Sequence, residues 1–254
     1  MSSIINYQNI AVSVGGTPLF ANSASFSFDA PIEAIRSLGQ QNAIADIING
    51  PIEGTLNIDY IITNGSHPGK TISESIIAGT YAPVSVEIGG RTFSSSYLSS
   101  YSLSAEPNSI INASLSFNIY GPLNFVGMIS SAAGTSTSNT IAHGANSNVA
   151  TITNAINFEY SFGVEWEPIY VLSSGTPTAV VFRSAEETLN INGPNLGSTV
   201  VQCQTSATAT VNIGALCGSN LFSITMSNAK IQNSESSVDA GGFVQGSYTL
   251  IKNY

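Results

Sequence analysis

Charge is what this sequence has least of. Only 8% of its 254 residues are Asp, Glu, Lys or Arg, where an average soluble domain carries roughly 25%. Ser, Asn, Thr, Gly and Ile fill the space, so the surface is polar but mostly uncharged. A face kept permanently in water is normally loaded with Lys and Glu, and this shortage tilts the reading towards a surface covered by partner subunits. Bases are scarcest. Arg36, Lys70, Arg91, Arg183, Lys230 and Lys252 are the whole set and stand far apart, whereas binding nucleic acid through counterion release needs clustered Lys and Arg. Specific DNA or RNA binding is thereby set aside. Acids outnumber bases 15 to 6, for a net charge of −9, and the excess is shared: 8 against 3 up to Gly127, then 7 against 3.

Chemistry-bearing residues are equally few. Cys203 and Cys217 are the only cysteines, too few for a disulfide framework. They read as two small buried or half-buried thiols, with a bridge open to them only if their strands are neighbours. His67 and His143 both lie in Gly/Ser/Asn-rich loops, away from any second metal-type ligand at helical or strand spacing. Zinc or a catalytic base has little support there, and each reads as an exposed loop histidine. There is no Gly-x-Ser-x-Gly elbow, no phosphate-cradling Gly-rich loop with Lys and no Cys-x-x-Cys, so no catalytic residue, metal or cofactor is expected. No run of about 18 apolar residues occurs, and Met1 to Tyr7 lacks a charged segment followed by an apolar one. The expectation is a chain that is neither exported by a standard signal nor membrane-spanning.

One acidic cluster invites comparison with an enzyme. Glu159, Glu165 and Glu167 surround Trp166, and a glycosidase needs two opposed carboxylates beside a sugar-stacking aromatic. Glu165 and Glu167, however, fall on the same face of a strand, opposite Trp166, which fits an acidic face over a core anchor equally well. Asn64-Gly65-Ser66 and Asn112-Ala113-Ser114 match the glycosylation sequon, a match that arises by chance in Asn/Ser-rich chains and receives no role here.

What the sequence does have is alternation. Ser23-Ala24-Ser25-Phe26-Ser27-Phe28, Thr55-Leu56-Asn57-Ile58-Asp59-Tyr60 and Ser114-Leu115-Ser116-Phe117-Asn118-Ile119-Tyr120 switch between small polar and apolar residues, the period of half-buried antiparallel strands. Further strands are expected at Ala43 to Ile48, Pro83 to Ile88, Tyr97 to Ala105, Asn157 to Phe162, Thr178 to Arg183, Thr188 to Ile191, Thr208 to Ile213, Ser223 to Ile231 and Ser247 to Lys252, separated by turn residues. Only Thr71 to Ala78 suggests a helix, with Ile72, Ile76 and Ile77 at helical spacing and Gly79 as a stop. A weaker helical signal lies near Gly197 to Ser206.

The chain also repeats itself, as a search for internal periods shows. A displacement of 134 residues sets Phe26-Ser27-Phe28 on Tyr160-Ser161-Phe162, Glu33 on Glu167, Ile35 on Ile169 and Leu38 on Leu172. At 133 residues, Glu53 and Thr55 to Ile58 meet Glu186 and Thr188 to Ile191, while Leu98, Ala105 and Phe117 meet Ile231, Val238 and Leu250. Val86 to Gly89 matches Val211 to Gly214 if the second copy is about eight residues shorter in its middle loop. The expected organisation is a first β domain over 1–121, a linker or long loop over 122–149 and a second β domain over 150–254.

With that strand order in place, the first half resembles a bacteriophage tail tube protein. The residues that carry the likeness are the Ser23 to Phe28 strand, Ile35-Arg36-Ser37-Leu38-Gly39, Gly50-Pro51, and Gly89-Gly90-Arg91-Thr92-Phe93 before the closing strands Tyr97 to Ser104 and Leu115 to Tyr120. It covers most of Val12 to Tyr120 and, more faintly, Asn157 to Tyr254. The resemblance implies an all-β chain of two tandem antiparallel sandwich or barrel units with a short flanking helix, forming a β-barrel ring on oligomerisation. It further implies a virion tail protein, made in the host cytoplasm, whose rings stack into a conduit for DNA ejection. Partners would be copies of itself and other tail proteins (sheath, baseplate or terminator), with genomic DNA in transit without specific binding. Two units per chain imply a trimer with pseudo-sixfold symmetry, and closing a sheet across subunits removes exposed strand edges.

Three rivals stay open at this point. A baseplate hub or distal tail protein resembles the same fold but forms one ring. A carbohydrate-binding sandwich displayed on a virion would stack sugars on Trp166, Tyr170 and Tyr160. An enzyme is the weakest of the three, and the shorter middle loop of the second half leaves room for a decoration domain.

Overall fold

Alternating small polar and apolar residues give strands one wet and one dry face, and the computed structural model of the chain is built from such strands. It describes residues 10–29, 31–35, 45–48, 51, 53–63, 65–106, 109–120, 142–148, 156–171, 176–194, 206–215, 220–238 and 244–254. The first half runs β1 (Val12–Val14), β2 (Thr17–Asp29), β3 (Ile32–Ile35), β4 (Ala45–Ile48), β5 (Glu53–Ile61), helix α1 (Pro68–Ile77), β6 (Val84–Ile88), β7 (Arg91–Ala105) and β8 (Asn112–Ile119). The second runs β9 (Ala142–Asn148), β10 (Asn157–Ile169), β11 (Ala179–Pro194), β12 (Ser206–Ala215), β13 (Asn220–Val238) and β14 (Val244–Asn253).

The chain is all-β with a short helix where Ile72, Ile76 and Ile77 predict one. Pro68 presets the first helical residue, and Gly79, at φ +86°, takes the left-handed conformation that stops the helix. Two expectations need correction. Thr178 to Arg183 and Thr188 to Ile191 belong to one strand, β11, because Glu187 between them keeps the inward alternation of Ala185, Leu189 and Ile191. The segment read as a linker contributes strand β9, whose Ala-His-Gly-Ala-Asn-Ser-Asn sequence lacks the apolar alternation that would announce it. The short strands β1 and β3 were equally silent. Cys203, Cys217 and the second helical signal, apart from Ser206 at the start of β12, lie outside the described residues.

Pairing in the first half follows β6-β1-β2-β5-β8-β7, and β6 also pairs with β7, which closes a six-stranded antiparallel barrel. A separate hairpin, β3–β4, stands beside it. β7 is long enough to serve two neighbours on one edge: Arg91 to Ser96 pairs with β6, and Ser100 to Ala105 pairs with β10. Beyond that junction the sheet continues as β10-β11-β14-β13-β12-β9.

The order β2-β5-β8-β7-β6-β1 thus recurs as β10-β11-β14-β13-β12-β9, and the register recurs with it. Phe26 faces Leu56 as Tyr160 faces Leu189. Leu56 faces Phe117 as Leu189 faces Leu250, and Leu98 faces Phe117 as Ile231 faces Leu250. The bulge repeats too, between Leu98 and Ser100 on β7 and between Ile231 and Asn233 on β13. Every one of these pairs is related by the 133- or 134-residue displacement of the sequence repeat. Among the described residues the halves differ at closure: β1 pairs with both β2 and β6, whereas β9 pairs with β12 and not with β10.

The dry face of this run carries Leu56, Ile58, Tyr101, Leu103, Leu115, Phe117, Phe162, Leu189, Ile191 and Leu250, all buried in one cluster that crosses both halves. Helix α1 docks on it through a glycine. A Cβ on Gly69 would sit 2.5 Å from the Tyr101 ring and 3.0 Å from the Tyr60 hydroxyl, so only a bare backbone fits. Gly69→Ala should therefore destabilise the chain by about 1–3 kcal/mol, read as a lower urea midpoint. Gly163→Ala, with nothing within 4 Å of the added carbon, should change it by no more than about 0.5 kcal/mol.

Candidate functional site

The alternation that packs one face of the sheet leaves the other wet, and that wet face is the most distinctive surface of the molecule. Eight strands, β2-β5-β8-β7-β10-β11-β14-β13, run side by side without interruption. Their outward residues are Ser, Thr and Asn, exemplified by Ser25, Asn57, Ser116, Ser102, Ser161, Asn190, Thr249 and Ser237. Carboxylates are spread among them: Asp29, Glu53, Asp59, Glu159, Glu186 and Glu235 are exposed and outward. Of the bases on these strands, Arg183 stands at the β11 irregularity and is ion-paired with Glu167, and Lys230 donates to Ser206 Oγ at 3.2 Å.

Hydroxyls hold these acids in place across strands. Ser23 Oγ and Ser114 Oγ each donate to Asp59 at 2.6 Å. The Ser114 bond, then the Ser23 bond, lower the Asp59 pKa below the usual carboxylate value, outweighing the effect of burial. Ser116 donates to Asn57 Oδ1 at 2.7 Å, Ser184 to Glu165 at 2.9 Å, and Tyr170 Oη to Glu53 at 3.0 Å. The result is a wall of anchored, negatively charged and neutral acceptors.

Of the aromatic and acidic cluster singled out in the sequence, Glu165 and Glu167 do share the side opposite Trp166. Trp166 is buried, donates Nε1–H to the Leu98 carbonyl on β7 at 2.7 Å, and meets Tyr97, Phe182 and Tyr81 edge-on. Tyr160 is buried as well. Neither ring presents a face to a sugar, so the stacking trio proposed with Tyr170 does not assemble. Trp166 is instead a cross-strand anchor between β10 and β7.

His67 corrects an expectation outright: it is not an exposed loop residue but 3% exposed. It occupies the N-cap position of α1 without a side-chain capping hydrogen bond, with Tyr60 Oη 2.7 Å from Nδ1, Tyr101 Oη 3.3 Å from Nε2 and the Phe222 ring at 4.9 Å. A neutral imidazole has one donor and one acceptor, so one tyrosine donates and the other accepts. Burial, and secondarily the Lys70 charge, lower its pKa to about 3. The ring is a neutral plug that ties α1 to β5, β7 and β13. Its only local signal was the following Pro-Gly; the tyrosines that enclose it come from distant strands. The side chain of His143, on β9, lies outside the described residues.

Glu187 was not singled out in the sequence, where it fell between the strands expected at Thr178 to Arg183 and Thr188 to Ile191. It is buried and accepts hydrogen bonds from Tyr160 Oη at 2.8 Å and Tyr254 Oη at 2.5 Å. Burial and the Glu187 carboxylate raise the pKa of both phenols. The group pins the chain's last residue to the second half of the sheet.

His67 makes stability depend on pH in a defined direction. Its unfolded pKa near 6.5 exceeds its folded value of about 3, so the unfolded state binds more protons between them. Its contribution is complete above about pH 6.5 and is lost as pH falls, at about 1.4 kcal/mol per pH unit. Urea midpoints measured between about pH 5 and pH 7 should show this slope, and His67→Asn should flatten it while lowering the plateau.

No family model matches the chain, and no curated protein sequence matches it. Among solved structures it aligns with the crystal structure of the SPP1 Dit (gp 19.1) protein, described as a paradigm of hub adsorption apparatus in phages infecting Gram-positive hosts. The identity is 10%, the alignment covers 96% of this chain and 99% of that one, and the TM-score is 0.25. A superposition that loose carries no argument about function.

Proposed function

We propose that this chain is a structural protein of a phage tail: a tube subunit that joins copies of itself into stacked rings around a bore through which DNA passes. The observation that carries the reading is the eight-stranded wall, dry and packed on one face, wet and acid-bearing on the other. A soluble monomer has little use for so wide and continuous a polar sheet. As the inner wall of a ring it has one, because fixed negative charge repels the phosphate backbone and uncharged hydroxyls and amides release no counterions from it. The doubled topology supports a ring of three chains with six similar units and pseudo-sixfold symmetry. Sheath, baseplate or terminator proteins would contact the ring's other surfaces, and the protein would reside in the virion tail.

Negative-stain electron microscopy with mass photometry tests this directly. The expected particle is a hollow ring of three 26.3 kDa chains that stacks into tubes. Single rings that never stack would point to a hub, and a persistent monomer would overturn the reading. The charge argument has its own test. Purified rings should not retain duplex DNA at about 50 mM salt, whereas the combined variant Asn57→Lys, Asn190→Lys and Thr249→Lys should bind it in a salt-dependent manner. Strong binding by the unmodified ring would defeat the low-friction wall.

A further inference from the structure

Strands β13 and β14 run together and then part. From Lys230 to Val238, β13 pairs with β14, while from Asn220 to Lys230 it pairs with β12. Beyond Ile251, β14 keeps only its other neighbour among the described residues: Lys252 faces Glu187 and Asn253 faces Glu186 on β11, and Tyr254 exchanges backbone hydrogen bonds with Ala185. Asn228 marks the fork. It is the one non-glycine residue at positive φ among the described residues, at +58°, within the irregularity between Met226 and Ala229, and Asn adopts that conformation more readily than most side chains.

Helix α1 covers the fork. Lys70, Glu74, Ile77 and Ala78 fall on one helix face by their spacing, and they share a cleft of about 250 Å³ with Ile224 of β13 and with Lys252 and Tyr254 of β14. The buried Tyr101, Tyr160 and Glu187 form its floor.

The charges that line the cleft are not equally engaged. Both oxygens of Glu187 accept a phenol, from Tyr160 at 2.8 Å and from Tyr254 at 2.5 Å. Glu74 and Lys70 hold each other at 3.4 Å. Lys252 is left over: its ammonium rests 4.4 Å from the centre of the Tyr254 ring, and among the described residues no carboxylate comes within ion-pair distance of it. A cation seated on an aromatic face and short of a counterion is a receptor for an anion. Ile77, Ala78 and Ile224 supply an apolar wall beside it, the combination usual in a small-molecule site. The lining holds two ammonium groups and two carboxylates, so a monoanion is accommodated where a dianion meets net repulsion.

We propose that this cleft binds a small organic monocarboxylate, with its carboxylate on Lys252 and its compact apolar body between α1 and β13. The site goes beyond the ring reading and does not depend on it, since it needs only the folded chain. An occupant ties α1 to the end of β14 and stabilises the fold by mass action.

The probe is benzoate, titrated into the purified chain by calorimetry, with benzyl alcohol, benzylamine and phenyl phosphate, a dianion at about pH 8, as comparators. Benzoate should saturate with a Kd of about 1 mM, and at about 10 mM it should raise the Tm by about 3 °C. The three comparators should bind at least about tenfold more weakly. Lys252→Met, which keeps the stem and removes the charge, should weaken benzoate about tenfold, whereas Lys252→Arg should stay within about threefold. Ala78→Phe, which fills the mouth from the exposed end of the helix, should abolish binding, and melting curves of the unliganded variants separate lost binding from lost folding. Equal binding of benzyl alcohol, tighter binding of phenyl phosphate, or benzoate binding unchanged in both Lys252→Met and Ala78→Phe would overturn the site. So would the absence of any heat or melting shift at about 10 mM benzoate. Failure to find rings in micrographs would leave the cleft standing, and failure of the titration would leave the ring standing.

Discussion

The ladder between Ser100–Ala105 of β7 and Phe158–Gly163 of β10 is the constraint on which the rest of the molecule depends. Without it the chain is a closed six-stranded barrel and a separate open array. With it, the dry faces of both halves become one core and the wet faces one wall. The device is simple: β7 outlasts β6, so the same edge that closes the barrel at Arg91 to Ser96 turns outward and accepts a new strand at Ser100. The Leu98 to Ser100 bulge falls where the edge changes partner, as expected of a feature that bends a strand and increases its twist. Trp166, reaching from β10 to the Leu98 carbonyl, fastens the seam at the same point.

The polar wall and the core are two readings of one alternation. Because side chains switch faces every residue, each apolar position that deepens the core commits its neighbours to the opposite face, and here those neighbours are Ser, Thr and Asn rather than Lys and Glu. Hydroxyls that bridge strands, as Ser23 and Ser114 do at Asp59, keep the acids pointing outward without a matching base. The few charges of the sequence thus give this surface an excess of acids, with Arg183 and Lys230 as its exposed bases.

Much of this was legible because it depends on short-range pattern. The strands around Phe26, Ile58 and Phe117, the helix at Ile72 to Ile77 and the 133-residue repeat all follow from period and spacing. What was not legible depends on which strands become neighbours. His67 sits in a stretch of loop-forming residues, and nothing nearby announces that Tyr60, Tyr101 and Phe222 will close over it. Trp166 among glutamates reads as a binding platform until the strand that covers it is known. Glu187 fell between two expected strands, and its burial depends on two phenols, Tyr160 and Tyr254, that come from elsewhere in the chain. β9, Ala-His-Gly-Ala-Asn-Ser-Asn, carries no apolar alternation, so its pairing with β12 could not be read from period.

Two copies of one unit need not stay alike, and the divergence here is physically consistent. At the position where the first copy has Gly54, whose added Cβ would strike the Phe28 ring at 2.2 Å, the second has Glu187, paired in register with Phe162. Glycine lets Phe28 lie over the strand beside an outer edge; glutamate gathers Tyr160 and Tyr254 within a filled interior. Similarly, the internal seam is anchored by aromatic contacts and an indole hydrogen bond, while the β13 edge presents Ser234, Ser236 and Val238. The difference follows from effective concentration. A junction within one chain forms at the high local concentration imposed by the linking segment, so it can be deeply packed as part of folding. The end of β13, paired with β14 across Asn233 to Val238 without a Trp-anchored seam, shows mainly small and polar side chains.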